Sequence, residues 1–331
     1  MHELQFLILT VIVLALLFDF INGFHDTANA IATSVSTRAI KPAYAIVMAA
    51  ALNFLGAIYS TGVAKTIGGD IVASAEMVDE HIIIAALMGS IVWNLFTWYV
   101  AMPSSSSHAL VGGIIGAVLV STGSTGLNFV GIGKIVLSLI TSPLLAILSG
   151  FIVMTVLFLL FGRFAPSALN GRFKKMQILS AAAMAFSHGS NDAQKSMGII
   201  TLALLSGGYL SSFDVPDYVK FLCAAAMACG TALGGWRIIR TIGSKIFKLE
   251  PISGFAADLN SSIVIFSATL LHLPVSTTHV VSGSIMGVGT AKRIRAVRWG
   301  VAQQMLAAWV LTIPCTAVMG ALAYQIVLWV F

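Results

Sequence analysis

Long apolar stretches separated by short polar ones run the length of this 331-residue chain. They fall at 4–21, 43–62, 82–101, 107–123, 134–161, 177–206, 217–236, 256–272, 275–289 and 301–331. A helix needs roughly 20 apolar residues to cross a bilayer, so the pattern predicts an all-α polytopic membrane protein. The segments at 107–123 and 275–289 are short, and each follows a hydroxyl-rich turn without Lys or Arg. Together with its predecessor, each predicts either two crossings or a re-entrant helical hairpin whose tip lies in the membrane.

The polar turns repeat. Pro103-Ser104-Ser105-Ser106-Ser107-His108 has a counterpart in Pro274-Val275-Ser276-Thr277-Thr278-His279, and Gly112 and Gly116 match Gly283 and Gly287. Asn22-Gly23-Phe24-His25-Asp26-Thr27-Ala28-Asn29 aligns with His188-Gly189-Ser190-Asn191-Asp192-Ala193-Gln194, Gly23 and Asp26 falling on Gly189 and Asp192 at an offset of 166. Lys65-Thr66-Ile67-Gly68 and Arg240-Thr241-Ile242-Gly243 form a weaker third pair, in the same order. The chain therefore reads as a duplication: a first membrane repeat at 1–161, a basic cytoplasmic connector at 162–176 and a second membrane repeat at 177–331. Each half has an odd number of crossings, with or without re-entrant hairpins, so the halves are expected to have inverted topology. Inverted repeats with broken helices at corresponding places point to a secondary transporter and its midplane site.

Composition agrees: 58% of residues are hydrophobic and 9% charged, against about 25% charged in soluble domains. The net charge of +6 does not indicate nucleic acid, because the basic residues cluster between apolar runs as they do in membrane proteins. Arg38/Lys41, Arg163/Arg172/Lys174/Lys175, Arg237/Arg240/Lys245/Lys248 and Lys292/Arg293/Arg295/Arg298 mark cytoplasmic loops of a cell-membrane protein. Asp70/Glu76/Asp79/Glu80 and Asp214/Asp217 mark the opposite side, with both termini outside. The first apolar segment lacks a basic leader and a cleavage site, so it is expected to stay as a membrane helix. Cys223, Cys229 and Cys315 have no metal-site or disulfide spacing and read as small core residues.

The two hydroxyl boxes suit an anion. Each leads into a helix whose first N–H groups lack intrahelical acceptors, and a helix N-terminus carries roughly half a positive charge. Ser105, Ser106, Ser107, Ser276, Thr277 and Thr278 are therefore candidate substrate ligands, although such residues also serve as ordinary N-caps and packing groups. His108 and His279 are candidate anion or proton contacts, or hold nearby carbonyls. Asp26, Asn29, Asn191, Asp192 and Gln194, in Gly-flanked polar breaks, are oxygen donors suited to a coupling cation, a proton or sodium. His25 joins them as a proton contact. A metal phosphohydrolase reading of His25-Asp26 lacks a second His and Asp set, so no metal, catalytic residue or cofactor is expected. Asp19 and Asp258 are weaker candidates, and Lys195 is placed to pair with Asp192 at i+3.

The phrases GFHDTANAIAT, SHGSNDAQKSMGI, PSSSSHAL and PVSTTHVVSG resemble the duplicated signatures of the inorganic phosphate transporter (PiT) family, of the bacterial low-affinity permease type. The resemblance runs nearly end to end. It implies a symporter of inverted repeats, often a homodimer in membrane lipid, moving inorganic phosphate with protons or sodium. It places Asp26, Asn29, Asn191, Asp192 and Gln194 in the signature loops, and Ser105 to Ser107 with Ser276 to Thr278 in the paired hairpin tips. His25-Asp26-Thr27 is similar to the bacterial branch associated with protons and metal-phosphate complexes. The second signature departs from the first, with Gln194 in place of Asn29 and Asn191 in place of His25, which argues against two equivalent cation sites. A sulfate permease of the same family, a passive anion channel and a membrane enzyme acting on phosphorylated lipids are the alternatives. A carboxylate touching the anion favours phosphate, which keeps a proton to donate, over sulfate, which only accepts.

Overall fold

The computed structural model describes residues 2–234, 238–239 and 241–330, and its regular elements are helical. In order they are α1 (His2–Ser36), α2 (Pro42–Ala57), α3 (Gly62–Gly69), α4 (Glu80–Tyr99), α5 (Ser106–Ser121), α6 (Phe129–Phe161), α7 (Pro166–Ser206), α8 (Asp217–Leu233), α9 (Pro251–Leu270), α10 (Thr277–Lys292) and α11 (Trp299–Val330). A π-helical turn at Thr241–Lys245 and short 3-10 turns complete them. Arg237 and Arg240 of the third basic cluster, Gly235 and Trp236 at the end of one apolar segment, and Phe331 lie outside the described residues.

Glu3–Ser36, Glu80–Tyr99, Phe129–Phe161 and Trp299–Val330 are long and apolar enough to cross a membrane, and α2 with α3 forms a further candidate span bent by 71°. Large apolar side chains of α6 and α11, among them Leu159, Val310 and Trp329, face outward as lipid-contacting residues do. Residues 166–176 of the basic connector are already the beginning of α7.

The signatures do not break their helices. α1 continues through Asn22 to Asn29, and α7 continues through His188 to Gln194. The polar side chains find partners sideways and the backbone ladder is kept, so polarity here signals buried neighbours rather than an unwound turn. Their glycines serve close helix packing: a Cβ on Gly23 would stand 2.9 Å from the Thr231 N of α8, and one on Gly189 2.6 Å from the Asn53 Cα of α2. The chain bends instead after α2 and reverses after α4 and α9.

Those two reversals are built alike. Ala101 and His272 take left-handed backbone angles, φ 55° and 59°. Met102 N–H donates to the Thr97 carbonyl and Leu273 N–H to that of Ala268, both at 2.9 Å, closing each helix with a Schellman motif. Pro103 and Pro274 follow and prevent helix from resuming. The next helix starts only at the Ser/Thr box, so α4–α5 and α9–α10 are helical hairpins with hydroxyl-rich tips.

The halves interlock. α5 packs on α11 and α10 on α6, while α1 packs on α8 and α2 on α7. A Cβ on Gly112 would stand 2.6 Å from the Ile313 carbonyl, and one on Gly283 2.8 Å from that of Pro143. Two apolar clusters result, one holding Phe18, Ile21, Ala193 and Met197, the other Ala28, Ile31, Met184 and Ala185. Between them α1 and α7 bury a polar layer: Asn22, His25, Asp26, Thr27, Ser187, His188, Ser190, Asn191 and Asp192.

Candidate functional site

The site forms where this layer meets the hairpin tips. On α1, Asn22, Asp26, Asn29 and Thr33 recur at i, i+4, i+7 and i+11 and share one face. On α7, His188, Asp192 and Lys195 do the same at i, i+4 and i+7. All seven are buried.

Hydroxyls of both tips reach the two carboxylates. Ser106 Oγ donates to Asp26 Oδ2 at 3.3 Å, Thr278 Oγ1 to Asp26 Oδ1 at 3.2 Å, and Thr277 Oγ1 to Asp192 Oδ2 at 3.1 Å. Asn29 Nδ2 donates to Thr278 Oγ1 at 2.9 Å. Ser107 Oγ crosses from the first tip to the Val275 carbonyl of the second at 2.8 Å. Ser105 and Ser276 are the N-caps, accepting from His108 N–H at 3.2 Å and His279 N–H at 3.3 Å. The Ser106, Ser107, Thr277 and Thr278 N–H groups lie ahead of the first intrahelical bonds and have no intrahelical acceptor. The sequence-predicted hydroxyls thus divide into caps (Ser105, Ser276), a tip-to-tip tie (Ser107) and carboxylate contacts (Ser106, Thr277, Thr278).

The candidate cation residues divide as well. Asp26 and Asp192 converge with His188, and one ligand atom from each lies within 4.8 Å of the others, an arrangement able to hold a cation. His188 Nε2 is 3.6 Å from Asp192 Oδ2, and its Nδ1 is 3.0 Å from Asn53 Oδ1. His25 Nδ1 lies 2.8 Å from Asp26 Oδ1. His188 and Asp192 of α7 thus bring one His and one Asp across the bundle to Asp26. Asn191 and Gln194 are engaged elsewhere. Asn191 accepts from Val275 N–H at 3.3 Å and donates to Thr269 Oγ1 at 3.1 Å, clamping the second hairpin. Gln194 Oε1 accepts from Val63 N–H at 2.7 Å and Ala64 N–H at 3.2 Å, capping α3.

Two residues carry more than the sequence reading gave them. His188 stands one turn before Asp192, a signal that the i−4 spacing offered. Lys195 Nζ lies 2.8 Å from Asp192 Oδ1, with both side chains fully buried. At the constant offset of 166 Lys195, not Gln194, is the counterpart of Asn29; the similarity of two amides had shifted the register by one.

His108 and His279 stand apart from the carboxylates. Their rings face each other at 4.5 Å, and His279 stacks on Trp309 at 4.0 Å. Both line an otherwise apolar cavity of about 410 Å³ beside α6 and α11. That cavity is lined mainly by apolar side chains and offers few polar groups, so the chemistry lies with the tips. Asp258 accepts from Thr33 Oγ1 toward the α9 side, and Asp19 lies beside Ser196 and Cys223.

Comparison with known proteins gives concordant results. The sequence profile of the phosphate transporter family matches residues 22–172 and 163–320. A Bacillus subtilis protein described as "Probable low-affinity inorganic phosphate transporter" is 50% identical over 333 residues, covering 100% of both chains. A Rhizobium meliloti protein of the same description is 46% identical, covering 96% of each. The solved structure titled "The sodium-dependent phosphate transporter" superposes with a TM-score of 0.90 at 26% identity, covering 98% of this chain and 100% of that one.

Proposed function

The chain belongs to the phosphate transporter family, and from that premise we propose that it is a secondary symporter, carrying inorganic phosphate through the cell membrane between its two hairpin tips. The observation that carries this reading is the meeting of Ser106, Thr277 and Thr278 with Asp26 and Asp192, which joins an anion-binding surface to a cation-binding one. Phosphate takes the N-terminal N–H groups of α5 and α10 together with the Ser106, Ser107, Thr277 and Thr278 hydroxyls, and turns them away from the carboxylates.

Coupling follows from charge. An anion about 5 Å from an unneutralised carboxylate is repelled by ~3 kcal/mol at an effective dielectric of 20, so phosphate binds well only after a proton or sodium ion has neutralised the Asp26 and Asp192 pair. A carboxylate oxygen that touches the bound anion favours phosphate, which has a proton to donate, over sulfate, whereas carboxylates that touch the cation alone give no such preference. The halves are read as inverted repeats, with their basic loops in the cytoplasm and the site near mid-membrane.

The test is uptake of radiolabelled phosphate into proteoliposomes, with proton and sodium gradients imposed separately and unlabelled sulfate as competitor. Accumulation against the phosphate gradient, driven by one of the cations and indifferent to sulfate, is expected. Downhill flux alone would make the protein a channel, and uptake of labelled sulfate would overturn the substrate assignment.

A further inference from the structure

The two signatures differ at one position in a way that bears on how many cations the site exchanges. On α1, the residue one turn beyond the carboxylate is Asn29, a neutral amide whose Oδ1 is buried without a hydrogen-bond partner among the described residues, the kind of oxygen a cation takes. On α7, the residue at the same place is Lys195. Its ammonium is fully buried and lies 2.8 Å from Asp192 Oδ1, with Asp192 Oδ2 turned to Thr277, Asn22 and His188. A buried charge persists where it is paired, and here the pair is made by the chain itself.

Resting on the symporter reading above, we infer that the Lys195 ammonium is a resident counter-ion for Asp192, filling the place an exchangeable cation would take in the second half, so that the site exchanges one cation and not two. Asp26 and Asp192 together bring two negative charges and Lys195 returns one positive. A single proton or sodium ion held among Asp26, His188 and Asp192 Oδ2 then offsets the carboxylate charge that Lys195 leaves unpaired before the anion enters. Lys195 is thus a determinant of ion stoichiometry that sits at the carboxylates without touching the anion's hydroxyl ligands.

The inference is tested by equilibrium binding of ²²Na⁺ to the purified full-length protein, comparing wild type, Lys195→Asn and Lys195→Arg. Lys195→Asn gives position 195 the side chain of Asn29, its counterpart, and is expected to bind one sodium ion per chain more than wild type; Lys195→Arg keeps the charge and is expected to gain none. In proteoliposomes, phosphate uptake by Lys195→Asn gains a corresponding dependence on sodium. Equal sodium stoichiometry in wild type and Lys195→Asn, or two sodium ions on the wild type, overturns the inference. Should Lys195→Asn survive purification only with sodium present, the new site is read as stability. Should it survive in neither buffer, the wild-type count of bound sodium ions plus protons taken up with phosphate decides, a second cation overturning the inference and a single one supporting it. Absence of phosphate uptake by the wild type under every gradient would sink the symporter reading instead, and leaves the sodium count readable.

Discussion

Asp26 is the residue on which most of the site converges, accepting from Ser106 and Thr278 and lying against His25. Asp26→Asn is expected to abolish gradient-driven phosphate accumulation in proteoliposomes; retained uphill uptake would remove the carboxylate from coupling. Ser106 and Thr278 each stand to offer phosphate a hydrogen bond to a charged group, worth about 1.5–3 kcal/mol. Ser106→Ala and Thr278→Val should therefore each raise KM for phosphate about tenfold to a hundredfold, with the sodium or proton dependence kept. At this scale the sequence was informative because both boxes and both signatures occur twice, and the carboxylates and hydroxyls they name meet in space. For His188 it offered the i−4 spacing to Asp192 but not the cross-helix partner Asn53, and it was misleading at Gln194, where resemblance of side chains outweighed register.

At the scale of elements, the sequence predicts helices in the right places and reversals at the two Ser/Thr boxes, but it adds breaks in the two signatures, where the helices run on. Glycines beside polar residues look like an unwound turn, and in α1 and α7 they are instead contact points where another helix comes close. Gly189→Val would force a branched side chain into the Asn53 backbone; overpacking of this kind costs about 1–3 kcal/mol. A lowered melting temperature in detergent checks it, and an unchanged one would show that α2 and α7 pack less closely. The hairpin turns offer the opposite experiment. Ala101 holds a left-handed conformation that costs an L-residue about 1–2 kcal/mol, so Ala101→Gly relieves strain while giving back about 0.5–1 kcal/mol in chain entropy. The net expectation is a small rise in melting temperature. The Pro and hydroxyl boxes mark these turns in the sequence; the left-handed φ of Ala101 and His272 that makes each reversal is not marked there.

Across the whole molecule, the paired phrases lead the sequence reading to a duplication but not to the exchange of partners between halves, since no local pattern says that α5 will rest on α11 and α10 on α6. The exchange predicts that residues 1–161 and 162–331, expressed separately, fail to give monodisperse protein, while co-expressed they assemble and regain phosphate uptake; a stable, well-behaved single half would argue against it. It also has a consequence for synthesis. Roughly 200 residues separate Gly112 from the Ile313 carbonyl that it rests on, and at about 5–20 residues per second the first hairpin waits on the order of 10–40 s for α11 to be made. Through that interval its glycine face has only lipid or a chaperone to cover it. Loss of α11 would therefore condemn the nascent chain to degradation even though every residue of the transport site had already been translated.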